Sequence, residues 1–375
     1  MAHPELEARL LEHPDDREAY MVYADHLQSL GDPRGELIAL QANGRPADQF
    51  IAEHADALLG PLAEHQKTHD GRADEAFTWQ LGFIRSARLS FDSNEGDEVS
   101  LDEILELLLT DPSAKFLREL IVPINMLDDG MYFGPVVQKL AEIGAPALRT
   151  LHIGEFAHAG PGGIDNEYDY EISWTSLGDA SGVWRAVPRL EHLRLQVGLG
   201  GSSASGDAEK IGELVAPNLR DLEVVTGGMS AECLRAFATA NVPMLESMSL
   251  WLGSDNYGAT GTVDDLGALL AAAGVPKLRR LGIMNSEIAD TLIEPLAGSN
   301  VLKQLTELDL RYGTLTDEGA ERLLANARAF GHLAKLDLSA NCLSSDTTQR
   351  VRGICANVVI DEQKGGDERY VSLSE

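Results

Sequence analysis

His152, His192 and Arg194 are the side chains of this 375-residue sequence best suited by type to do chemistry, with Arg280 and Arg311 further along. Two imidazoles can share a metal or move a proton, and guanidinium groups receive carboxylates in a two-pronged geometry. A zinc pair needs a third ligand, and the sequence has no C-x-x-C pair to supply one. We therefore expect no metal and no cofactor here, and a basic patch that receives a carboxylate or an acidic helix. No G-x-S-x-G, phosphate-binding G-x-x-x-x-G-K-[ST] or dinucleotide-binding glycine pattern occurs; GLGGSSASG from residue 198 follows a strand and reads as a loop. Cys233, Cys342 and Cys355 lack a neighbouring base and read as reduced thiols packed in a core, which suits a cytoplasmic chain. The catalytic alternative is a hydrolase that uses His152 or His192 in a site assembled from distant segments.

Charge narrows the partners. Thirty Lys and Arg stand against sixty Asp and Glu, a formal net charge of -30. Such a polyanion repels phosphate backbones and anionic lipid, so nucleic acid and membrane surfaces are disfavoured, while a basic protein or peptide is attracted. The first residues, MAHPELEARL, lack a basic patch followed by an apolar run. No segment reaches eighteen uninterrupted apolar residues, so neither export nor a membrane span is expected.

The elements that position the candidate residues recur. An L-x-x-L-x-L pattern returns as FLRELIV at 116, ALRTLHI at 147, RLEHLRL at 189, NLRDLEV at 218, MLESMSL at 244, KLRRLGI at 277, QLTELDL at 304 and HLAKLDL at 332, after a degenerate FIRSARL at 83. Successive first positions are 33, 31, 42, 29, 26, 33, 27 and 28 residues apart, and that near-constant interval predicts stacked strand–turn–helix units. SAECLRAFATA, VDDLGALLAAA and TDEGAERLLANARAF supply the helices, with Ser230 and Thr316 placed as N-caps. The reading is an α/β leucine-rich-repeat solenoid: a curved parallel sheet with outer helices and a small α-helical N-terminal cap. Asn341 takes the position of an asparagine ladder, with Asn285 near it in an earlier copy and Gly313 in the copy between.

An open stack exposes apolar core at each end. PELEARLLEH, DDREAYMVYADHLQSLGD and PRGELIALQA predict three helices, with Asp15 or Asp16 capping the second and Pro33 opening the third. Leu10, Leu11, Tyr20, Tyr23, Ala24, Leu27, Leu37, Ile38 and Leu40 form their expected cluster. Asp32 and Pro33 read as a turn and Arg34–Glu36 as a local ion pair. We divide the chain into a cap over 1–48, a bridge over 49–82 sealed by Trp79 and Phe83, and repeats over 83–375. At the far end, Val358–Ile360 and Tyr370–Leu373 read as two short strands that cover the open edge.

VYADHLQSLGDPRGELIALQ resembles the repeat-companion domain that precedes leucine-rich repeats in bacterial proteins, especially of myxobacteria and planctomycetes. YEISW at 170, LWLGSDNYG at 250, LGIMNSEIAD at 281 and LDLRYGTLTDEGAERLL at 308 resemble bacterial leucine-rich-repeat proteins of no established activity. The resemblance implies the fold and leaves the function open.

Within that register, Val225, Trp251 and Met284 follow the second leucine of adjacent copies and predict an exposed apolar stripe, the signature of an interaction surface, the alternative being that Trp251 turns inward or is covered by the loop from Gly253 to Gly261. His152, His192 and Arg194 form a patch on neighbouring strands, with Arg280 and Arg311 further along, and Asp309 and Asp337 fall beside Glu223 and Glu307, which suggests a neutral or basic front half and an acidic back half. The expected function is a non-catalytic protein-binding module whose partner is anchored by Trp251 and oriented by Arg194, Arg280, Arg311, Glu223 and Asp309. A regulator or inhibitor of a basic enzyme or small GTPase is the alternative. Asp165, Glu167, Asp169 and Glu171 alternate with Tyr168, Tyr170 and Ile172 in the longest interval, which describes a solvated edge or a cation site. DSNEGDEVSLDE at 92 has carboxylates at calcium-loop offsets but places Asp97 where that loop requires glycine.

Overall fold

The computed structural model describes residues 3–63, 77–89, 100–124, 131–155, 171–201, 208–365 and 369–374. Three amphipathic helices come first: α1 (Pro4–Glu12), α2 (Arg17–Ser29) and α3 (Pro33–Ala42). Asp16 caps α2 by accepting from the Ala19 N–H, and Asp32 caps α3, whose first residue is Pro33. Arg34 pairs with that capping Asp32 rather than with Glu36, because the cap already holds the carboxylate beside the first turn. Leu10, Tyr20, Tyr23, Ala24, Leu27 and Ile38 pack together with Phe83 and Phe116, while Leu11 lies at the margin of the cluster. Leu37 turns instead into the larger core, and Leu40 is half-buried. Phe83 thus seals the seam, whereas Trp79 remains half-buried and its carbonyl accepts from Gln41. Arg85 crosses the same seam: it is buried, donates to the Phe116 carbonyl at 3.1 Å and lies 5.0 Å from the Tyr20 ring centroid.

The rest is mixed α/β, built on a large, mostly parallel, open sheet of eleven strands among the described residues. Its strands are β1 (Phe77–Gln80), β2 (Phe83–Arg88), β3 (Glu119–Pro123), β5 (Thr150–Glu155), β7 (His192–Gln196), β8 (Asp221–Val225), β9 (Ser247–Gly253), β10 (Arg280–Ser286), β11 (Glu307–Asp309), β12 (Lys335–Asp337) and β13 (Val358–Val359), side by side in chain order. Two further short strands, β4 (Met131–Tyr132) and β6 (Thr175–Ser176), pair separately. Among the described strand pairs β1–β2 alone is antiparallel, and a single antiparallel bridge also joins Gly228 to Gly253 at the end of β9. The recurring pattern sets the register: Leu120, Leu151, Leu193, Leu222, Met248, Leu281, Leu308 and Leu336 pair in one unbroken row, every one buried. Each such side chain contributes about 1.5–3 kcal/mol by leaving water, so a slip by one residue is strongly opposed.

Helices return the chain between strands. Ser230 caps Ala231–Ala238 through the Cys233 N–H. The stretch from Val263 divides into a 3-10 turn, Val263–Leu266, and a short helix, Gly267–Leu270, because Asp265 closes a capping box on Thr262. Thr316 precedes Asp317–Ala325 as expected, but its hydroxyl donates to Asp290 at 2.7 Å instead of capping the helix. Asn341 bridges neighbouring turns, donating to the Leu310 and Leu338 carbonyls and accepting from the Leu315 N–H. At the preceding turn a Cβ on Gly313 would stand 3.1 Å from the Asn341 amide oxygen. No helix among the described residues is long and apolar enough to cross a membrane.

One terminal expectation fails. Val358–Val359 does pair with β12 as the last strand, but Tyr370–Ser374 does not join the edge; it crosses the face of the sheet.

Candidate functional site

Alternation along each strand sends Leu222 and Val224, or Met248 and Leu250, into the core and the residues between them to the opposite face. On that face the strands present a ladder of ionic pairs. His192 Nδ1 lies 3.1 Å from Asp221, whose other oxygen is 3.5 Å from Arg280. Arg194 pairs with Glu223, Arg311 with Asp309 and Lys335 with Asp337, each at 3.0 Å. The expected division into basic and acidic halves is therefore wrong. Parallel register places Arg194 directly opposite Glu223 on the next strand and His192 opposite Asp221, so the signs interleave.

Two recesses open over this ladder. One, of about 450 Å³, is lined among others by Glu119, Thr150, His152, His192, Asp221 and Ser249. The other, of about 370 Å³, includes Arg280, Glu307, Asp309, Arg311, Tyr312 and Asp337. Arg194, Glu223, Ser247 and Ser249 line both, which makes one continuous trough. Burial shapes its chemistry. Desolvation pushes the His152 pKa down to about 4, against the hydrogen bond its Nε2 donates to Gln196 at 2.7 Å, so the imidazole is neutral at pH 7. Burial raises Asp309 to about 6 although Arg311 lies beside it. Asp337 titrates below its ordinary value: burial raises it, and hydrogen bonds with Ser339 and the Lys335 ammonium outweigh that.

The apolar column is contiguous but not exposed. Met284 pairs with Trp251 in register, and Val225, Trp251 and Met284 are 0%, 2% and 3% exposed. Ile172 and Leu373 cover them, and Tyr312 stacks on Trp251 with ring centroids 5.2 Å apart. Trp251 Nε1 is buried with no hydrogen-bond partner among the described residues. Trp251 is consequently not a free anchor for a partner in this conformation. Its expected exposure fails because the covering residues come from segments outside the recurring pattern.

Of the residues singled out in the sequence, the structure brings His152, His192, Arg194, Glu223, Arg280, Arg311 and Asp309 together along this trough. Sequence reasoning missed Lys335, Ser249 and Tyr312 there, although Lys335 and Ser249 occupy the same alternate positions as the residues it chose. Asn285 leaves the ladder role to Asn341: its side chain is buried on this face and bonds the backbone of Leu373. Cys233 is buried, which pushes its thiol up to about 11 and leaves it unreactive. Among the described residues no group of three or more His, Cys, Asp and Glu is arranged to hold a metal ion. Asp165, Glu167 and Asp169, and the stretch from Asp92 to Val99, lie outside the described residues. So do His65 and His69, an H-x-x-x-H pair that the sequence does contain.

No family model matches the chain, and no curated protein matches it. Among solved structures it is similar to a Bacteroides fragilis protein determined as a Northeast Structural Genomics Consortium target, at 22% identity and a TM-score of 0.64, over 84% of this chain and 86% of that one. This likeness concerns the fold.

Proposed function

We propose that the chain is a leucine-rich-repeat solenoid with a helical repeat-companion cap, and that it acts as a non-catalytic protein-binding module whose partner lies in the charged trough on the concave face of the sheet. The observation that carries this reading is the set of ionic pairs that β7, β8, β10, β11 and β12 present on one face, register-matched at His192–Asp221 and Arg194–Glu223 and lining one continuous trough. Ionic groups held at strand spacing offer a protein surface many places to exchange hydrogen bonds, whereas a small molecule would need a deeper enclosure with fewer, convergent polar groups. The overall charge of -30 favours a basic partner, including a basic enzyme subject to regulation. Three cysteines that form no disulfide fit a reducing compartment, the cytoplasm. A hydrolase reading gains little support: the His192–Asp221 pair could orient a base, but among the described residues no serine hydroxyl hydrogen-bonds to His192.

A photo-crosslinking residue at Thr150 or Ser249, compared with one at Glu294 on an exposed helical position, tests this. A discrete protein adduct from the trough positions alone, lost in R194E/R280E at unchanged thermal stability, is the expected result. Equal adducts from both faces, or adducts indifferent to the charge reversal, overturn it.

A further inference from the structure

We propose that the apolar column beside the trough is a seat for an extended peptide of the form basic–x–aliphatic–x–aliphatic, and that residues Arg369–Ser374 of the chain are its tethered occupant, which a partner segment of the same chemistry displaces. The inference rests on reading this face as a docking surface and adds a second, separately testable site to it.

The segment is seated as a ligand would be. Val371 and Leu373 are buried, Tyr370 is exposed, and Ser372 and Ser374 are half-buried, the alternation of an extended strand laid on a surface. Among the described residues it pairs with no strand. Instead the Leu373 N–H donates to the Asn285 side-chain oxygen at 2.9 Å, the Asn285 amide donates back to the Leu373 carbonyl at 2.5 Å, and the Ser372 N–H donates to the Tyr312 carbonyl at 3.1 Å. These bonds read backbone, so any sequence can supply them; the side-chain requirements come from the sockets. Leu373 enters a pocket of Ile172, Val225, Trp251 and Met284, which accepts an aliphatic residue. Four residues earlier Arg369 reaches Asp290, a carboxylate that is 9% exposed and also receives the Thr316 N–H and hydroxyl. That carboxylate selects a cation. The backbone approach is close: a Cβ on Gly227 would lie 2.1 Å from the Ser374 carbonyl oxygen, so the sheet is hollowed where the peptide runs. Trp251 Nε1 is buried beneath this segment and has no hydrogen-bond acceptor among the described residues.

Exchange follows from tethering. A covalently linked segment competes at an effective concentration in the millimolar range, so a free peptide wins only when it binds better or when the tether is released.

The probe is the hexapeptide Ac-RYVSLS-NH2 carrying a fluorophore, added to the full chain and to the full-length variant V371D/L373D, whose own segment cannot occupy the socket. The expected result is saturable anisotropy with the variant, at least ten-fold weaker binding to the unaltered chain, and loss of binding when N285A is added to the variant. Equal binding to both chains, or none to a variant that retains its thermal transition, overturns the proposal. Should the variant fail to fold, hydrogen exchange on the unaltered chain decides. Exchange at the Ser372 and Leu373 amides at least a hundred-fold faster than at Leu250, accelerated by excess hexapeptide, supports displacement. Protection equal to that of Leu250 makes the segment ordinary core and overturns it. R194E/R280E is expected to abolish the trough adduct while the hexapeptide still binds V371D/L373D at least ten-fold more tightly than the chain whose own segment is intact, so this failure and that of the trough reading are told apart.

Discussion

Asn285 grips both backbone polar groups of Leu373, a residue 88 positions away, giving its amide N–H₂ to the carbonyl and its oxygen to the N–H. Both groups are buried, and a positive φ of 50° at Asn285 turns the side chain toward them. Replacing it by alanine leaves a buried donor and acceptor unmatched and adds left-handed backbone strain. We expect N285A to cost about 1–3 kcal/mol, measured by urea unfolding, with new tryptic cleavage at Arg369. N285D, which sets a carboxylate oxygen against the Leu373 carbonyl, costs more at pH 7 than N285A does.

Trp251 now makes a stability prediction where its sequence position suggested a binding one. Because it is buried against Met284, Val225 and Leu373 and stacked on Tyr312, W251A opens a cavity and costs about 3–5 kcal/mol. A thermal shift of under about one degree in W251A contradicts the burial described above.

His152 gives an acid-side dependence. Its folded pKa, near 4, lies below the ordinary value of 6.5, so between these pH values the unfolded chain binds more protons. Its contribution to stability is fully present above pH 6.5 and is lost as the pH falls toward 4. NMR titration of the imidazole locates the midpoint, and H152Q flattens the stability profile in that window.

Asp309 works in the opposite direction. Its folded pKa, about 6 against 3.8, means that the folded chain binds more protons in between. Stability therefore falls as the pH rises through this range. The difference in midpoint temperature between D309N and the unaltered chain should be more positive at about pH 8 than at about pH 4.5. The reverse order would show that Arg311 outweighs desolvation.

Local pattern carried much of the fold. The L-x-x-L-x-L spacing predicts the buried row from Leu120 to Leu336, and alternation assigns Arg194 and Glu223 to the opposite face, since both consequences follow from period-two geometry alone. The three N-terminal helices were legible because Asp16, Asp32 and Pro33 are local signals. Coverage was not legible. Ile172 and Leu373 belong to no copy of the pattern, and nothing in their neighbourhood states that they close over Trp251. The interleaving of charge was available in principle, for Arg194 and Glu223 occupy equivalent positions of successive copies; reading residues by column rather than by neighbouring strand concealed it. The two asparagines divide similarly. Asn341 bonds to nearby turns, a role its turn context announces, whereas the partner of Asn285 lies far along the chain.

The outermost strands have a consequence for self-association. An open sheet presents unpaired amides at both borders, and a long flat border recruits further chains into fibrils. Among the described residues one border is β1, four residues laid antiparallel to its neighbour with an irregular register at Thr78–Trp79, and the other is β13, two residues long. A second molecule arriving at either finds almost no template to extend. Concentrated protein is therefore expected to resist lateral polymerisation, and to leave any growth of assemblies to the broad surfaces rather than to the rims.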